Sequence, residues 1–318
     1  MPDNRYEKTP RPGQEHFVAP PEDVQVGVVD AVDVSEAPSS LWQEAWRDMR
    51  HRPLFWVSAA LIVFVILMAV VPGLFTSASP KCVLTDSLGG PTQGHIFGFD
   101  KQGCDLYYRA IHGARASVTV GVLSTIFVVV LGTLIGSVAG YFGGWFDTIL
   151  SRFTDIFFAV PFVLAAIVIM SLLQDRNEVV VAVVLATFGW TSIARITRGA
   201  VLGVKNNEFV TAAKALGMGR LAILGKHVLP NAAAPIIVYA TVALGTFIVA
   251  EATLSFLGIG LPSTTISWGG DLAKAQEAIR VAPEIMIYPA TALAITVLSF
   301  IMMGDVVRDA LDPKARKR

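Results

Sequence analysis

The sequence predicts an all-α integral membrane protein with six transmembrane helices and both termini on the cytoplasmic side. Three observations lead there. Apolar residues make up 53% of the chain and charged residues only 16%, with a mean hydropathy of +0.59, far from soluble usage. Charge is withheld from six runs, at 53–80, 116–146, 156–174, 179–194, 228–250 and 285–304, and a spanning helix needs about 20 such residues. Finally, with six spans and an inside N-terminus, segments 1–53, 142–152, 195–227 and 305–318 hold 18 of the 25 Lys and Arg, against 7 outside. That is the asymmetry expected of cytoplasmic loops.

Taken in order, residues 1–39 predict a disordered cytoplasmic tail. Eight acidic residues fall within the first 40, together with prolines at 2, 10, 12, 20, 21 and 38, a composition that cannot bury a core. Residues 40–53 predict an amphipathic helix lying in the inner interface. Ser40 and Gln43 have capping-box spacing, and Leu41, Trp42, Ala45, Trp46 and Met49 share one face; a plain cytoplasmic extension of the first span is the alternative. The remainder, 54–318, predicts the six-helix body. Its first apolar run starts near residue 54, too deep and too long for a cleavable signal peptide.

An outside loop is expected over 73–115, holding both cysteines, Cys82 and Cys104. In the second span Gly132, Gly136 and Gly140 recur every four residues, so that one helix face lacks side chains and a neighbour can approach closely. The third run, 156–174, is long enough for a span. The fourth, 179–194, is short, yet deleting it would leave Arg195, Arg198, Lys205, Lys214, Arg220 and Lys226 outside, the wrong side for so basic a loop.

The inside loop 195–230 is long, basic and helix-prone. Phe209, Ala212, Ala213 and Leu216 fall at helical spacing before Gly217 and Gly219 interrupt the pattern, which predicts a short helix and then a bend. Gly219 and Gly225-Lys226 enclose five residues where a P-loop has four, so this chain is not expected to bind nucleotide. In the fifth span Glu251 lies near the outer end, about 7 Å deep by helical rise from Phe256, where water is expected to reach it. An ionisable group at that depth is functional by default. Residues 252–270 are rich in Gly, Pro, Ser and Thr and read as loop, and the outside segment is expected over 257–284.

Other classes are excluded on chemistry. A net charge of zero offers no phosphate-binding surface, hence no nucleic-acid partner. No Cys or His cluster has metal-ligand spacing, so no metal site is expected. His51, His95, His112 and His227 are scattered, and no nucleophile, base and orienting group converge, which disfavours a membrane enzyme.

The stretches "HGARASVTVG", "AGYFGGWFDTILSRFTD", "EFVTAAKALG", "HVLPN", "AEATLSFLGIG", "SWGGDL" and "GDVVRDALDP", in this order from about Ser40 onward, resemble the C-type permease subunits of dipeptide and oligopeptide ABC importers, the DppC/OppC group. The resemblance implies the type I importer permease fold and an EAA-type coupling helix, which falls on Thr211, Ala212, Ala213, Gly217, Leu229 and Pro230. Thr211 stands where the group has Glu, and Glu208, one turn earlier, offers a replacement carboxylate. The group commonly has a Glu at the position of Glu251, which implies a structural or gating role for it over contact with the solute. It further implies a non-enzymatic subunit of the bacterial cytoplasmic membrane that imports peptides by ATP-driven alternating access. Its partners would be a homologous B-type permease, two ATPases that hold ATP and Mg, an extracytoplasmic binding protein and the lipid bilayer, with no cofactor in this chain. Nickel chelates, glutathione or another small solute remain alternatives, and a passive channel would leave the coupling loop without purpose. Where the group reads Gly-Thr-Asp and then Leu-Gly-Arg-Asp, this chain has Gly98-Phe99-Asp100 and Gln102-Gly103-Cys104-Asp105. Cys104 replaces an arginine while Cys82 appears upstream, and the two departures together imply a disulfide.

Overall fold

A computed structural model describes residues 41–77 and 81–311. The expected tail over 1–39, and Ser40 of the expected capping box, lie outside the described residues. Helix α1, Leu41–Met49, occupies most of the expected interfacial segment and exposes Trp42 and Trp46. Residues 50–52 turn the chain into α2, Pro53–Val70, which opens on a proline at the position where a missing N–H costs nothing.

Among the described residues, five helices are long and apolar enough to cross a bilayer: α2, α3 (Leu106–Phe142), α6 (Glu178–Val204), α10 (Ala233–Phe256) and α12 (Glu284–Leu311). Between α3 and α6 lie α4, Gly144–Phe158, and α5, Phe162–Leu172, which form a sixth span only if taken as one element bent by 73°. The uninterrupted third span expected over 156–174 is therefore corrected. Pro161 brings no N–H to the helix and its ring clashes with the carbonyl four residues back, so the chain breaks at Ala159–Pro161. Helix α4 begins 12 residues earlier than the apolar run did.

The fourth span, which looked short, is the 27-residue α6. The uncharged run ended at Arg195, but the helix continues because α4 neutralises its arginines. Arg198 makes a bidentate pair with Asp147, at 2.5 and 2.7 Å. Arg195 donates to Asp155 at 2.8 Å and lies 3.8 Å from the Phe158 ring centre. Helix α3 likewise starts ten residues before its run, with Asp105 capping it through the Tyr108 N–H at 2.9 Å. The expected outside loop 73–115 thus ends near residue 105. At about 55 Å, α3 exceeds the roughly 30 Å hydrocarbon core and projects past it.

Helices α3 and α6 pack along the glycine seam. A Cβ on Gly132 would lie 1.9 Å from Ile193 Cγ2, one on Gly136 2.3 Å from the Ala194 carbonyl, and one on Gly140 2.9 Å from the Arg198 carbonyl. Any side chain there would drive the helices apart. Around the seam, α3, α5, α6 and α10 share a core that includes Val128, Met170, Leu185 and Phe247, while α2, α3, α10 and α12 share a second with Met68, Ile248 and Phe300.

The loop after α6 holds α7 (Glu208–Ala215), α8 (Arg220–Ile223), a π-helical turn over Leu224–Val228 and α9 (Leu229–Asn231), which leads into α10. The segment expected to be loop over 257–284 contains α11, Trp268–Gln276, capped by Ser267. Its glycines are no obstacle to the helix, because they let it lie directly on a neighbour: a Cβ on Gly269 would be 2.5 Å from the Ala252 carbonyl.

Candidate functional site

Two constellations of functional interest occupy opposite ends of the bundle. The first is built on α7. Of its eight residues only Val210 and Ala213 are buried, packed with Val201, Ile223, Leu224, Val228 and Ala232. Glu208, Phe209, Thr211 and Ala212 face outward, and Leu216, just past the last turn, is 85% exposed. The helix ends in a Schellman arrangement. Met218 N–H donates to the Ala213 carbonyl at 3.2 Å, Gly217 N–H donates to Lys214 at 3.0 Å, and Gly217 takes φ +78°. No atom lies within 4 Å of a Cβ built on Gly217, so backbone geometry alone requires glycine there.

Leu229 and Pro230 stand where the loop enters α10. The π turn immediately before them widens the helix ahead of the proline ring, and Asn231 Nδ2 donates to the His227 carbonyl at 2.6 Å, so the side chain serves an acceptor in this irregular stretch. A second tie runs from Lys205 Nζ to the Gly140 carbonyl at 2.8 Å. The α7 unit is thereby fastened to α3, α6 and α10.

The opposite end is a network of buried polar groups. Cys82 and Cys104 form a disulfide that closes the segment leading into α3. Within it, Asp100 Oδ1 accepts from the N–H groups of Gln102 and Cys104 at 2.9 and 2.8 Å. Asp100 Oδ2 faces Arg109 Nε at 3.8 Å, and the same Nε donates to Asp271 Oδ1 of α11 at 2.8 Å, with Arg109 Nη2 on that oxygen too. All three charged side chains are buried. Lys274, one turn further along α11, lines the same small cavity. Its ammonium is held below the usual lysine range, first by burial and then by the neighbouring Arg109 charge. His95 and Asp105 form another close pair in this region.

Glu251 is fully buried, which corrects the expectation that water reaches it. Helix α11 folds over the carboxyl, a cover that counting along α10 alone does not reveal. Ser255 Oγ donates to Glu251 Oε1 at 2.7 Å and itself accepts from Leu261 N–H at 3.1 Å. Ser117 and Ser267 lie close to the carboxyl, whose second oxygen, Oε2, is buried without a hydrogen-bond partner among the described residues. Ser117 accepts from Trp268 N–H at 3.3 Å, and Ser267 accepts from Gly270 N–H at 3.1 Å. Trp268 completes the seat by donating from Nε1 to the Ala110 carbonyl at 2.9 Å. Glu251 therefore sits where α3, α10 and α11 are tied together.

The structure gathers Glu208, Thr211, Ala212, Ala213 and Gly217 in one short unit, exposed except for Ala213, with Leu229 and Pro230 at its exit, and it joins Gly132, Gly136 and Gly140 in the α3–α6 contact. Asp100, Arg109, Asp271 and Lys274 were not singled out from sequence. Arg109 sits between Asp105 and Arg115, and Asp271 is followed by Lys274 and Glu277, so neither stands out locally and nothing along the chain indicates that they meet. Among the described residues no group of His, Cys, Asp and Glu is arranged to hold a metal ion.

Residues 132–317 match the family model described as binding-protein-dependent transport system inner membrane component, and residues 40–88 match the N-terminal TM domain of oligopeptide transport permease C. The chain is 37% identical to the oligopeptide transport system permease protein OppC of Bacillus subtilis, over 91% of this chain and 94% of that one. It is 36% identical to the dipeptide transport system permease protein DppC of Alkalihalophilus pseudofirmus, over 97% and 96%. The glutathione transport system permease protein GsiD of Escherichia coli is 35% identical over 86% of this chain and 91% of its own. Among solved structures, an inward-facing MetNI methionine ABC transporter has a chain that superposes with a TM-score of 0.51 at 18% identity, covering 64% of this chain and 97% of that one.

Proposed function

Because the chain belongs to the binding-protein-dependent transport system inner membrane components, and within them to the DppC/OppC group, we propose that it is one permease of an importer carrying di- and oligopeptides across the bacterial cytoplasmic membrane. It is not an enzyme; ATP and Mg are bound and ATP is hydrolysed by two partner ATPases. A homologous B-type permease completes the pathway, and an extracytoplasmic binding protein delivers the solute. The α7 end and both termini face the cytoplasm. Relatives named for oligopeptides, dipeptides and glutathione support short peptides as the solute class.

The observation that carries this reading is the build of α7. A short helix that rests on two small side chains and leaves a row of apolar and polar ones exposed suits insertion into a cleft of another protein. Its base, through Val201 on α6 and Val228 and Ala232 before α10, is continuous with two spans. A push on α7 is thus delivered to α6 and α10 as a rigid-body tilt, the motion that alternating access requires.

Reconstitution tests it. The chain, co-expressed with its B-type permease, ATPases and binding protein and placed in liposomes, should accumulate a labelled dipeptide only when ATP and the binding protein are both supplied. Failure of the complete wild-type complex to move any short peptide would overturn the solute assignment. ATPase activity unaffected by leaving out this chain would overturn the coupling role.

A further inference from the structure

The break in the third span is itself informative. Ala159, Val160 and Pro161 are all exposed, although they lie inside an uncharged apolar run. No backbone bond carries the carbonyls of Phe158, Ala159 and Val160 across to α5. The level of the break is fixed by aromatic contacts, with Phe157 5.6 Å from Phe188 in the middle of α6 and Phe162 6.1 Å from Phe247 in the middle of α10. Phe188 is seven residues, about 10 Å, from Arg195 along α6, so the break lies inside the bilayer. At that depth exposed irregular backbone is not tolerated against lipid. It occurs only where protein buries it or where it borders a water-filled cavity.

Beside the break is a cavity of about 190 Å³, lined by Phe158, Phe162, Phe188 and Phe247 together with the hydroxyl-bearing Ser192 and Tyr239. No charged residue lines it. Five aromatic rings, four of them phenylalanines, around an uncharged recess larger than the roughly 150 Å³ that holds a benzene are suited to a single apolar or aromatic side chain. The hydroxyls supply partners for a wetted polar backbone attached to that side chain.

From this we infer that the α4–α5 break and the adjoining faces of α6 and α10 border the water-filled translocation path, and that the aromatic recess receives one apolar side chain of the passing peptide. The inference deepens the peptide-importer reading and rests on it for the identity of the solute. Location in an aqueous path does not depend on that identity.

Two measurements test it in the assembled wild-type complex and its variants. Val160→Cys, Ser192→Cys and Thr246→Cys, each alone, are treated with a charged, water-soluble thiol reagent and read as a mass shift of this subunit. Cys82 and Cys104 are paired with each other and give little background. Val168→Cys and Leu134→Cys, on exposed apolar faces elsewhere, serve as lipid controls. Labelling of the first three and not the controls is expected. If the three are as unreactive as the controls, lipid or a partner subunit covers the break and the inference falls. Thr246, which also lines the recess, is then replaced in Thr246→Trp to fill it. Uptake of Phe-Ala should drop about tenfold while uptake of Ala-Ala changes little, the discrimination an apolar pocket provides. An equal drop for both dipeptides would overturn the side-chain recess. Labelling as expected in a wild-type complex that transports neither dipeptide would leave the path standing and remove the peptide assignment instead.

Discussion

At the α7 end an eight-residue helix buries Val210 and Ala213 and exposes nearly everything else, whereas at the α11 end a nine-residue helix buries Trp268, Gly269, Asp271 and Ala275. Helix α11 is fastened to α3 and α10 by the Arg109–Asp271 pair, the Trp268 bonds and the serines around Glu251. The lengths are similar and the mechanics differ. Helix α11 is pinned from several sides by buried polar groups, each costly to leave unpaired, while α7 keeps its contacts available for another molecule. Under the proposed function the two arrangements are complementary: α7 would be the lever that an ATPase grips, and the α11 end the part that does not come apart when the lever moves.

The largest expected effect comes from breaking the pinned end. Arg109→Met would strand Asp271 and Asp100 as buried carboxylates, and removing one partner of a buried ion pair costs about 3–5 kcal/mol. Thermal unfolding of the purified complex should register this, and Asp271→Asn added to Arg109→Met should recover much of the loss. A single variant within about 1 kcal/mol of wild type would mean that water reaches the cluster and that this end is not pinned by charge.

Next is the disulfide. In the chain-entropy model, Cys82→Ser with Cys104→Ser removes a constraint worth about 3 kcal/mol for a loop of this length. It also loosens the Cys104 N–H that holds Asp100. The segment over 81–105 should become sensitive to added protease at temperatures where the wild type resists. Unchanged resistance would assign its order to the Asp100 hydrogen bonds alone.

A smaller effect is expected between the two ends, at the α3–α6 seam. Gly132→Leu places its Cβ against Ile193 and the Trp190 carbonyl, and overpacking of this kind costs about 1–3 kcal/mol. Gly199→Leu, on α6 with no atom within 4 Å of its Cβ, is the matched control. Equal yields of folded complex from both would show that α3 and α6 separate freely at the seam.

How much of this was legible in the sequence follows from how far apart the interacting residues lie. The α7 unit is local, with Thr211 to Pro230 within one loop, and its spacing alone marks a short helix, a glycine turn and a proline entry. The Gly132-Gly136-Gly140 repeat is likewise visible on one helix. Arg109 and Asp271, by contrast, are 162 positions apart, and no periodicity links them. Span lengths depart from the uncharged runs in both directions, because neither a paired charge nor a lone proline is visible in hydropathy. Arg195 and Arg198 remain inside α6 since Asp155 and Asp147 neutralise them, while Pro161 breaks a run whose hydropathy is unblemished. For Glu251 the depth along α10 is readable from sequence, but its cover is not, because the Gly, Pro, Ser and Thr around 252–270 hide the start of α11, which lies over it.

The smallest effect on stability and the largest on coupling should fall together on α7. Leu216 is 85% exposed and follows the last turn of the helix, so Leu216→Asp removes almost no packing and should shift unfolding by no more than about 0.5 kcal/mol. Gly217→Leu pays more, about 1–2 kcal/mol, because a residue with a Cβ must hold a left-handed φ. Neither change reaches the α3–α6 core or the α11 network. If α7 is the lever, both variants should assemble normally and bind solute-loaded binding protein, yet hydrolyse ATP without accumulating peptide. The comparison with Arg109→Met then becomes decisive, because that variant should lose assembly and uptake in proportion. A Leu216→Asp complex that transports at the wild-type rate would show that the exposed row on α7 is gripped elsewhere or not at all. One that loses uptake only as far as it loses folded protein would show that α7 is as structural as α11.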